Sequence, residues 1–406
     1  MSLDIKFLFI IFLTASMGAQ ASLENLVRKA ALENGFMSAE ELNPALDAEL
    51  VKIGKIFFNS TSTSLNGNTS CQTCHLDRFG SADGIPNAIG VGGEGEGASR
   101  IKMGGAILPR NTLPLWGRGT EDFKILFWDG RIEKVDDLII SQFGENFPSL
   151  DPLVVAAHLP PLEIREMLVE DKFIEEQKTE KFDSANVVFS KIISELKKRE
   201  PDGIEALADF YDINFEEITY FHVAKSIAEF IKAKFAIQDT EFHKFVFESG
   251  SLSEKKLRGA ELFYGKGKCS VCHGGALFSD FKFHKIAYPQ LGFGKNGFGI
   301  DYGRFNTTHE VKDLYKFRTP PLFDVLNTAP YSHSGSIQKI QEAIIFHFDP
   351  LRFIDLDSMT PLDRSEFYKR ISLDSQEKML ISFLNDNEIE LIVEFLKSLS
   401  FSPNDI

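Results

Sequence analysis

Two short motifs of the form Cys-x-x-Cys-His constrain this chain more than any other feature of its sequence. They read CQTCH at residues 71–75 and CSVCH at residues 269–273, and together they contain all four cysteines of the 406 residues. In such a motif both thiols bond to the vinyl groups of one haem, and the adjacent histidine ligates its iron. The sequence therefore predicts two c-type haems, with disulfides or zinc sites as the alternatives.

Each motif also assigns individual roles to its residues. The four thiols form the covalent attachments, and the two histidines are the proximal iron ligands. The residues that hold the haems are thus predicted to be Cys71, Cys74, His75, Cys269, Cys272 and His273.

The first 21 residues have the composition of a targeting segment. Lys6 precedes an apolar run, and small residues follow it up to Ala19-Gln20-Ala21. This order is typical of a signal peptide with an A-x-A cleavage site, and the apolar run is too short to span a bilayer. We expect a signal peptide at residues 1–21 and an exported, soluble protein of a bacterial periplasm with no membrane segment after cleavage. Because Asp4 is unusual in such a segment, an uncleaved anchor is the alternative.

The charge of the chain limits its partners. The formal net charge is −15, and the sequence contains no run rich in lysine and arginine. Nucleic-acid binding requires basic side chains that neutralise phosphates. The composition therefore argues against a nucleic-acid partner.

The two halves of the sequence resemble each other beyond the haem motifs. A helical segment containing a glycine and a Phe-Phe or Phe-Tyr pair precedes each motif. After the motifs, TLPLW at 112–116 matches TPPLF at 319–323, and Gly-Arg-Ile at 130–132 matches Gly-Ser-Ile at 335–337. The spacing is far longer than that of a solenoid repeat. It predicts that a whole haem domain has been duplicated.

Helical periodicity dominates the rest of the chain. Apolar residues recur at three-and-four spacing in 215–237 and near the C-terminus, and Ser253 is a candidate N-cap for a helix that follows it. Residues 80–100 form a glycine-rich loop, and no sustained alternation suggests a sheet. We predict an all-α fold with cytochrome c-like domains at 22–240 and 241–406, joined near residues 238–252.

The chain resembles the bacterial dihaem cytochrome c peroxidases, a family that includes the MauG-like enzymes. The resemblance covers nearly the whole mature chain, and it rests on the two haem motifs and on the stretches PRNTLPLW, FWDGR, RTPPLFDVLNTAPYSHSG and EAIIFH. It implies two all-α domains, in which the N-terminal haem reacts with peroxide and the C-terminal haem relays electrons. A calcium ion commonly lies between the two haems of the family.

The resemblance also implies an open coordination position at the first iron. In relatives that must be activated by reduction, a histidine in a glycine-rich loop blocks this position, and here the matching residue is Val91, which cannot bind iron. The alternative ligands are His158, Glu94 and Glu96.

Peroxide cleavage also needs a group that moves a proton. The Glu-Met pair of the family matches Glu166-Met167, so Glu166 is the predicted acid–base residue. Glu163 is the alternative.

At the second iron, the resemblance points to an unusual second ligand. The position that holds methionine in peroxidases and tyrosine in MauG falls on His347, with His333 as the competing candidate. Two histidine ligands would lower the reduction potential relative to a His/Met pair.

Between the haems, Trp128 matches the family's bridging tryptophan, whereas Trp116 is predicted to belong to the core. The family's calcium ligands map to Asn111, Thr328 and Pro330, the last two through their backbone carbonyls.

Three functions follow as hypotheses. The first is reduction of hydrogen peroxide with electrons from a small periplasmic cytochrome c or cupredoxin. The second is a MauG-like oxidation of tyrosine or tryptophan side chains in a partner protein, and the third is non-enzymatic electron transfer. Val91 and Glu166 argue against a simple carrier, because a carrier needs no open iron.

Overall fold

The computed structural model describes residues 21–144, 147, 149–168, 182–372 and 383–401. The predicted signal peptide lies outside these residues except for its last position. Within the described part, no helix combines the length and the apolar character that crossing a bilayer requires.

Helices make up most of the regular structure. The helices are α1 (21–33), α2 (Ala39–Leu42), α3 (Ala48–Asn59), α4 (Cys71–Cys74), α5 (Ala98–Lys102), α6 (Pro152–Ala156), α7 (Phe182–Arg199), α8 (Pro201–Tyr211), α9 (Tyr220–Lys234), α10 (Glu241–Phe247), α11 (Glu254–Tyr264), α12 (Phe305–Thr308), α13 (Ile340–Phe346), α14 (Pro361–Ser372) and α15 (Asp386–Lys397). The three helices expected from periodicity correspond to α9, α11 and α15. The Ser253 hydroxyl accepts a hydrogen bond from the Lys256 amide, which confirms it as the N-cap of α11.

Three small antiparallel sheets depart from the all-α prediction. The strands are β1 (Ile125–Leu126), β2 (Ile132–Val135), β3 (Leu138–Ile140), β4 (Phe283–His284), β5 (Phe293–Gly294), β6 (Gly297–Phe298) and β7 (Phe317–Arg318). They pair as β1-β2-β3, β4-β7 and β5-β6. Alternation cannot be recognised in strands of two to four residues. The fold is therefore mainly helical, with short strand pairs that the sequence pattern does not reveal.

The helix before each haem motif packs closely against a later helix of its own half. A Cβ on Gly54 of α3 would lie 1.8 Å from Ser226 O of α9, and a Cβ on Gly259 of α11 would lie 1.9 Å from Leu391 O of α15. Only glycine permits this approach, because real Cβ contacts stay beyond 3.0 Å. The two halves thus place their haem-binding segments against the same kind of helix pair.

The hydrophobic core continues through both halves. Phe401 contacts Trp116 of the first half at a ring-centroid distance of 4.4 Å and Phe323 of the second half at 5.9 Å. Trp116 is 3% exposed, as expected for a core residue. The predicted boundary at residue 240 falls on Thr240, the N-cap of α10, and it stays a prediction.

Candidate functional site

The two Cys-x-x-Cys-His motifs lie at two separate cavities. The first cavity is lined by Cys71, Cys74 and His75, and the second by Cys269, Cys272 and His273. The four cysteines form no disulfide. Among the described residues, the one cluster of three possible metal ligands joins Cys272 to Asp280 and His284 and leaves out His273. The geometry therefore does not favour the disulfide and zinc alternatives.

Each proximal histidine is held by a backbone carbonyl. His75 Nδ1 lies 2.8 Å from Ser81 O, and His273 Nδ1 lies 3.0 Å from Phe278 O. Burial lowers the pKa of both imidazoles to about 4, so both rings are neutral. A neutral ring that donates from Nδ1 offers the lone pair of Nε2 as a metal ligand.

A second imidazole faces His273 across the second cavity. His347 lies at the C-terminal end of α13, and its Nδ1 is 2.9 Å from Ala343 O. The His273 and His347 rings have centroids 6.4 Å apart. Metal–imidazole bonds in zinc sites are about 2.0–2.1 Å long. Two bonds of this length on opposite sides of one metal would place the two ring centroids about 6 Å apart. The observed separation of 6.4 Å therefore leaves room for one metal between the two rings.

His333 also lines the second cavity, but its ring is already engaged. Its Nε2 lies 3.0 Å from Gln290 Oε1, and the ring stacks on Phe317 at a centroid distance of 3.9 Å. These contacts fix the ring as part of the wall. The contacts of His333 favour His347 as the candidate ligand, and the assignment stays a prediction.

Trp128 lies between the two cavities and lines both of them. Its Nε1 donates a hydrogen bond of 3.0 Å to Asn111 O, and its own carbonyl accepts one from the Arg318 amide. Backbone bonds to both halves therefore hold the indole in place. This is the position expected for a bridging aromatic residue.

Two buried arginines suit the negative charges of haem propionates. Arg118 lines the first cavity and Arg318 the second, and burial lowers their pKa values to about 10 and about 9. Arg318 Nη2 is buried without a hydrogen-bond partner. Buried cations and unpaired donors are costly unless an anion satisfies them. Together with the cysteines and histidines, these arginines show that both cavities fit a haem.

The first cavity contains two carboxylates with different environments. Burial and the charge of Glu163 raise the pKa of Glu166 to about 7. Burial also opposes ionisation of Glu163, but Arg131, which pairs with it, outweighs that effect and lowers its pKa. Near neutral pH Glu163 is a fixed charge and Glu166 can exchange a proton, which matches the predicted acid–base role of Glu166.

The loop at residues 89–91 is held by hydrogen bonds and supports the turn that carries Glu166. The Val91 amide donates a 2.8 Å hydrogen bond to Arg165 O, and the buried Arg100 donates to the carbonyls of Ile89 and Gly90. Val91 is not among the residues that line the first cavity. The loop therefore acts through its backbone, by bracing the residue next to Glu166.

The other ligands considered for the first iron lie elsewhere. His158 is 1% exposed inside a cage that includes Phe147, Phe189 and Tyr220, with its Nδ1 2.8 Å from Val154 O. Glu94 and Glu96 are exposed. Within the described part of the chain, His75 is the one histidine that lines the first cavity, and the buried Met167 is a further possible iron ligand there.

The predicted calcium ligands all line the second cavity, and Asn111 contacts Pro330 there. Asn111 Nδ2 lies 2.7 Å from Pro330 O, Asn111 Oδ1 is buried without a partner, and Thr328 lines the second cavity. The two atoms of an amide group are assigned from their surroundings, so a cation beside Pro330 O would reverse them. An oxygen-lined site for a hard cation fits this arrangement.

The structure also reveals cavity residues that the sequence interpretation missed. Lys295, from the β5–β6 hairpin of the second half, lines the first cavity, as do Arg118 and Arg131. For Lys295 the available signal was the turn-forming sequence GKNG inside the aromatic stretch GFGKNGFG. Nothing in that stretch shows that it contacts the other half.

Comparisons with known proteins agree with this geometry. The sequence model of a family described as di-haem cytochrome c peroxidase matches residues 48–251, just over half of the chain. The methylamine utilization protein MauG of Methylorubrum extorquens is 26% identical over 347 residues, covering 82% of this chain and 78% of that protein. The cytochrome c551 peroxidase of Pseudomonas aeruginosa is 24% identical over 297 residues, covering 72% and 70%.

Two solved structures share the fold. A MauG-like protein associated with microbial copper homeostasis aligns with a TM-score of 0.65 at 22% identity, covering 90% of this chain and 92% of that one. The diheme peroxidase BthA of Burkholderia thailandensis aligns with a TM-score of 0.62 at 17% identity, covering 88% and 87%. From the match over residues 48–251, and in agreement with the two cavities lined by the Cys-x-x-Cys-His motifs, the chain belongs to the di-haem cytochrome c peroxidase family.

Proposed function

We propose that the protein is a periplasmic dihaem c-type peroxidase. It reduces hydrogen peroxide at the N-terminal haem with electrons that pass through the C-terminal haem from a small periplasmic cytochrome c or cupredoxin. One observation carries the proposal: the second cavity presents two facing imidazoles, whereas the first presents one imidazole and a carboxyl group whose pKa lies near 7. The first site is suited to bind an oxidant and the second to relay electrons.

In this proposal each haem is attached through the two cysteines of its motif and ligated by His75 or His273. The matching contacts of Gly54 and Gly259 with their partner helices support the duplication of a haem domain. Arg118 and Arg318 neutralise propionates. The overall reaction consumes one peroxide, two electrons and two protons and yields two molecules of water.

When bound, the haem would supply the iron at which hydrogen peroxide is reduced. Glu166 would take one proton from peroxide at its carboxylate and return it to the oxygen that leaves as water, while two electrons and two further protons convert the other oxygen to the second water. Glu163 stays ionised and holds Arg131 in place. The apolar wall formed by Leu153, Ala156 and Leu159 limits the entry of water.

His347 completes the second site in this proposal. Ligation by two imidazoles lowers the potential of a haem compared with a His/Met pair. Trp128 lies between the two sites and shortens the path of the electron. Asn111, Thr328 and Pro330 bind one calcium ion that ties this region together.

A MauG-like oxidation of a partner's tyrosine or tryptophan side chains is the second candidate function. The placement of His273 and His347 on opposite sides of the second cavity favours it, because a low-potential relay is better at holding oxidising equivalents than at taking electrons from high-potential donors. The chain's similarity to MauG supports the same reading.

Both functions require one iron with an open position and one iron with two histidine ligands. Electron paramagnetic resonance of the ferric protein tests this requirement. We expect one high-spin signal from the first haem and one low-spin signal of bis-imidazole type from the second. His347→Ala should abolish the second signal and leave the first. Two low-spin signals in the isolated protein, for example through ligation by Met167, would contradict the proposal.

Peroxide kinetics then separate the two functions. Rapid oxidation of a reduced cytochrome by peroxide supports the peroxidase. If peroxide alone instead converts the ferric protein to a long-lived oxidised form that involves both haems, and reduced cytochrome is consumed slowly, the second function is correct.

A further inference from the structure

We propose that Tyr288 is a positioning residue of the second haem site, whose hydroxyl group shares the hydrogen-bond acceptor of His347 and thereby raises the reduction potential of the second haem. This inference rests on the proposed function, because it takes His347 as the second iron ligand. It goes beyond that function by naming a residue that controls how strongly His347 donates electron density to the metal. It is carried by the hydrogen bonds that converge on one carbonyl oxygen, that of Ala343.

The end of α13 leaves the carbonyl oxygen of Ala343 available to side chains. In a regular α-helix the amide of His347 would donate to the residue four positions earlier, which is Ala343. Here that amide donates to Ile344 O at 3.2 Å, as the last turn of the helix tightens. Ala343 O can therefore accept hydrogen bonds from side chains that line the second cavity.

Two side chains use this oxygen. His347 Nδ1 lies 2.9 Å from Ala343 O, and Tyr288 Oη lies 2.9 Å from the same atom. A carbonyl oxygen has two lone pairs and can accept both bonds, and a tyrosine hydroxyl group is protonated at neutral pH. Tyr288 Oη and His347 Nδ1 are 3.5 Å apart, outside the usual range of about 2.7–3.2 Å. The hydroxyl group therefore acts on His347 through the shared oxygen.

Packing and a backbone contact hold Tyr288 in this position. It lies between β4 and β5 and lines the second cavity. Its ring meets that of His347 edge to face, with centroids 6.0 Å apart and an interplanar angle of 87°, and it packs on Phe346 at a centroid distance of 5.4 Å. Tyr288 O also accepts a 3.3 Å hydrogen bond from Arg370 Nη1. The ring and the hydroxyl group of Tyr288 therefore reach His347 from a segment that is fixed on several sides.

The shared oxygen connects Tyr288 to the electronic properties of the ligand. An acceptor for the Nδ1 proton of a ligating histidine increases the basicity of the ring, and a more basic ligand stabilises the oxidised metal. A second donor on the same oxygen withdraws electron density from it, which weakens the oxygen as an acceptor for the Nδ1 proton. Tyr288 thus makes His347 a less basic ligand and raises the reduction potential.

This adjustment bears on the choice between the two proposed functions. Two histidine ligands give a haem a lower potential than a His/Met pair. The hydroxyl group of Tyr288 opposes part of that decrease, so the second haem accepts electrons more readily from a small cytochrome c or cupredoxin. His273 has a separate acceptor, Phe278 O, at 3.0 Å. The adjustment therefore acts at one of the two ligands.

Spectroelectrochemical titration of the holoprotein tests the inference without peroxide. Tyr288→Phe removes the hydroxyl group and keeps the ring, so the bis-imidazole signal in electron paramagnetic resonance should remain. The equilibrium constant for reduction of the second haem should fall by about threefold to tenfold, which corresponds to about 30–60 mV for a one-electron couple.

Tyr331 provides the matched control, because it also lines the second cavity and Tyr331→Phe removes the same group. Its hydroxyl group contacts neither Ala343 O nor His347 Nδ1, all three of which belong to the described part of the chain. We expect little change in the potential of this variant. An unchanged or higher potential in Tyr288→Phe would overturn the inference, and so would an equal fall in Tyr331→Phe, which would indicate a general effect of hydroxyl groups in the wall.

The spectrum of the wild type separates this inference from the proposed function. A wild-type protein without the bis-imidazole signal would contradict ligation by His347, and with it both the proposed relay and the inference. If the signal is present but Tyr288→Phe leaves the potential unchanged, the proposed function stands and the role of Tyr288 is wrong. A wild-type protein that does not react with peroxide would contradict the proposed function alone, since a lower potential in Tyr288→Phe would still support the role of Tyr288.

Discussion

Glu163 and Glu166 are three residues apart, yet their surroundings give them different charges. Both line the first cavity, and burial opposes ionisation of both. Arg131 pairs directly with Glu163, whereas Glu166 feels the negative charge of Glu163. A pair of carboxylates whose pKa values are pushed apart is the usual basis for assigning one fixed charge and one proton carrier.

Substitution of each carboxylate should change the pH dependence of the reaction in a different way. Glu166→Gln should slow the reaction with peroxide by about 10²–10⁴-fold and remove the acid limb near pH 7, because the proton carrier is lost. Glu163→Gln should keep an acid limb but move it to lower pH, because the charge that raises the pKa of Glu166 is gone. Stopped-flow absorbance at the Soret band across pH measures both.

The two variants also serve as controls for each other, since each removes one carboxylate of nearly the same size. Loss of the acid limb in Glu163→Gln with its retention in Glu166→Gln would reverse the assignment of the two roles.

Among the elements, the loop that contains Gly90 shows how backbone contacts position a side chain. Gly90 packs against the turn at Arg165, and a Cβ on Gly90 would lie 1.9 Å from Arg165 O. Arg100 donates hydrogen bonds to the carbonyls of Ile89 and Gly90 from the other side. The loop therefore cannot move away from the turn at Arg165. The position of Glu166 is therefore set by a glycine more than seventy positions earlier in the sequence.

Gly90→Ala should displace the turn that carries Glu166. We expect slower reaction with peroxide and a loss of about 1–3 kcal/mol in the free energy of unfolding, the range for an overpacked site. The low-spin signal of the second haem should stay unchanged, because that cavity is remote from the loop. Val91→Ala, which trims a side chain outside the cavity on the same loop, should have little effect on either measurement. Equal behaviour of the two variants would contradict this account.

The same elements show what the sequence could reveal. The haem motifs were readable because covalent attachment needs a fixed local spacing, and the cap at Ser253 was readable because capping is also local. The β5–β6 hairpin and Lys295 were not, because the strands are too short for periodicity and the lysine lines a cavity of the other half of the chain. Likewise, spacing alone cannot distinguish Glu166 from Glu163, because the difference lies in the contact with Arg131.

At the scale of the whole molecule, buried charges connect the two halves beside the first cavity. Arg110 Nε and Nη2 donate to the two carboxylate oxygens of Asp301 at 2.8 and 2.9 Å, and Nη1 donates to Asp129 at 2.6 Å. Arg304 of the second half donates to Gly130 O and pairs with Glu133. The orientation of the halves, and with it the reach of Lys295 into the first cavity, depends on these contacts.

Arg110→Met should therefore destabilise the protein strongly. It leaves the buried carboxylates of Asp129 and Asp301 without their shared partner, and breaking such a pair costs about 3–5 kcal/mol. Removal of the exposed pair Arg352–Asp386 by Arg352→Met should cost about 0–1 kcal/mol. Denaturant titration of the holoproteins, followed by circular dichroism, measures both.

The loss of unfolding free energy in Arg110→Met should depend on pH because Asp301, the partner of Arg110, titrates. Burial opposes ionisation of Asp301, but Arg110 outweighs it and lowers the pKa of Asp301 to about 2. Because the unfolded value is about 3.9, the stability that the pair provides is fully present above about pH 4 and is lost as the pH falls towards 2. The difference in the free energy of unfolding between Arg110→Met and wild type should accordingly be constant from pH 5 to 7 and shrink below about pH 4. A difference that is independent of pH down to the acid transition would mean that Arg110 stabilises the halves through packing and not through the charge of Asp301.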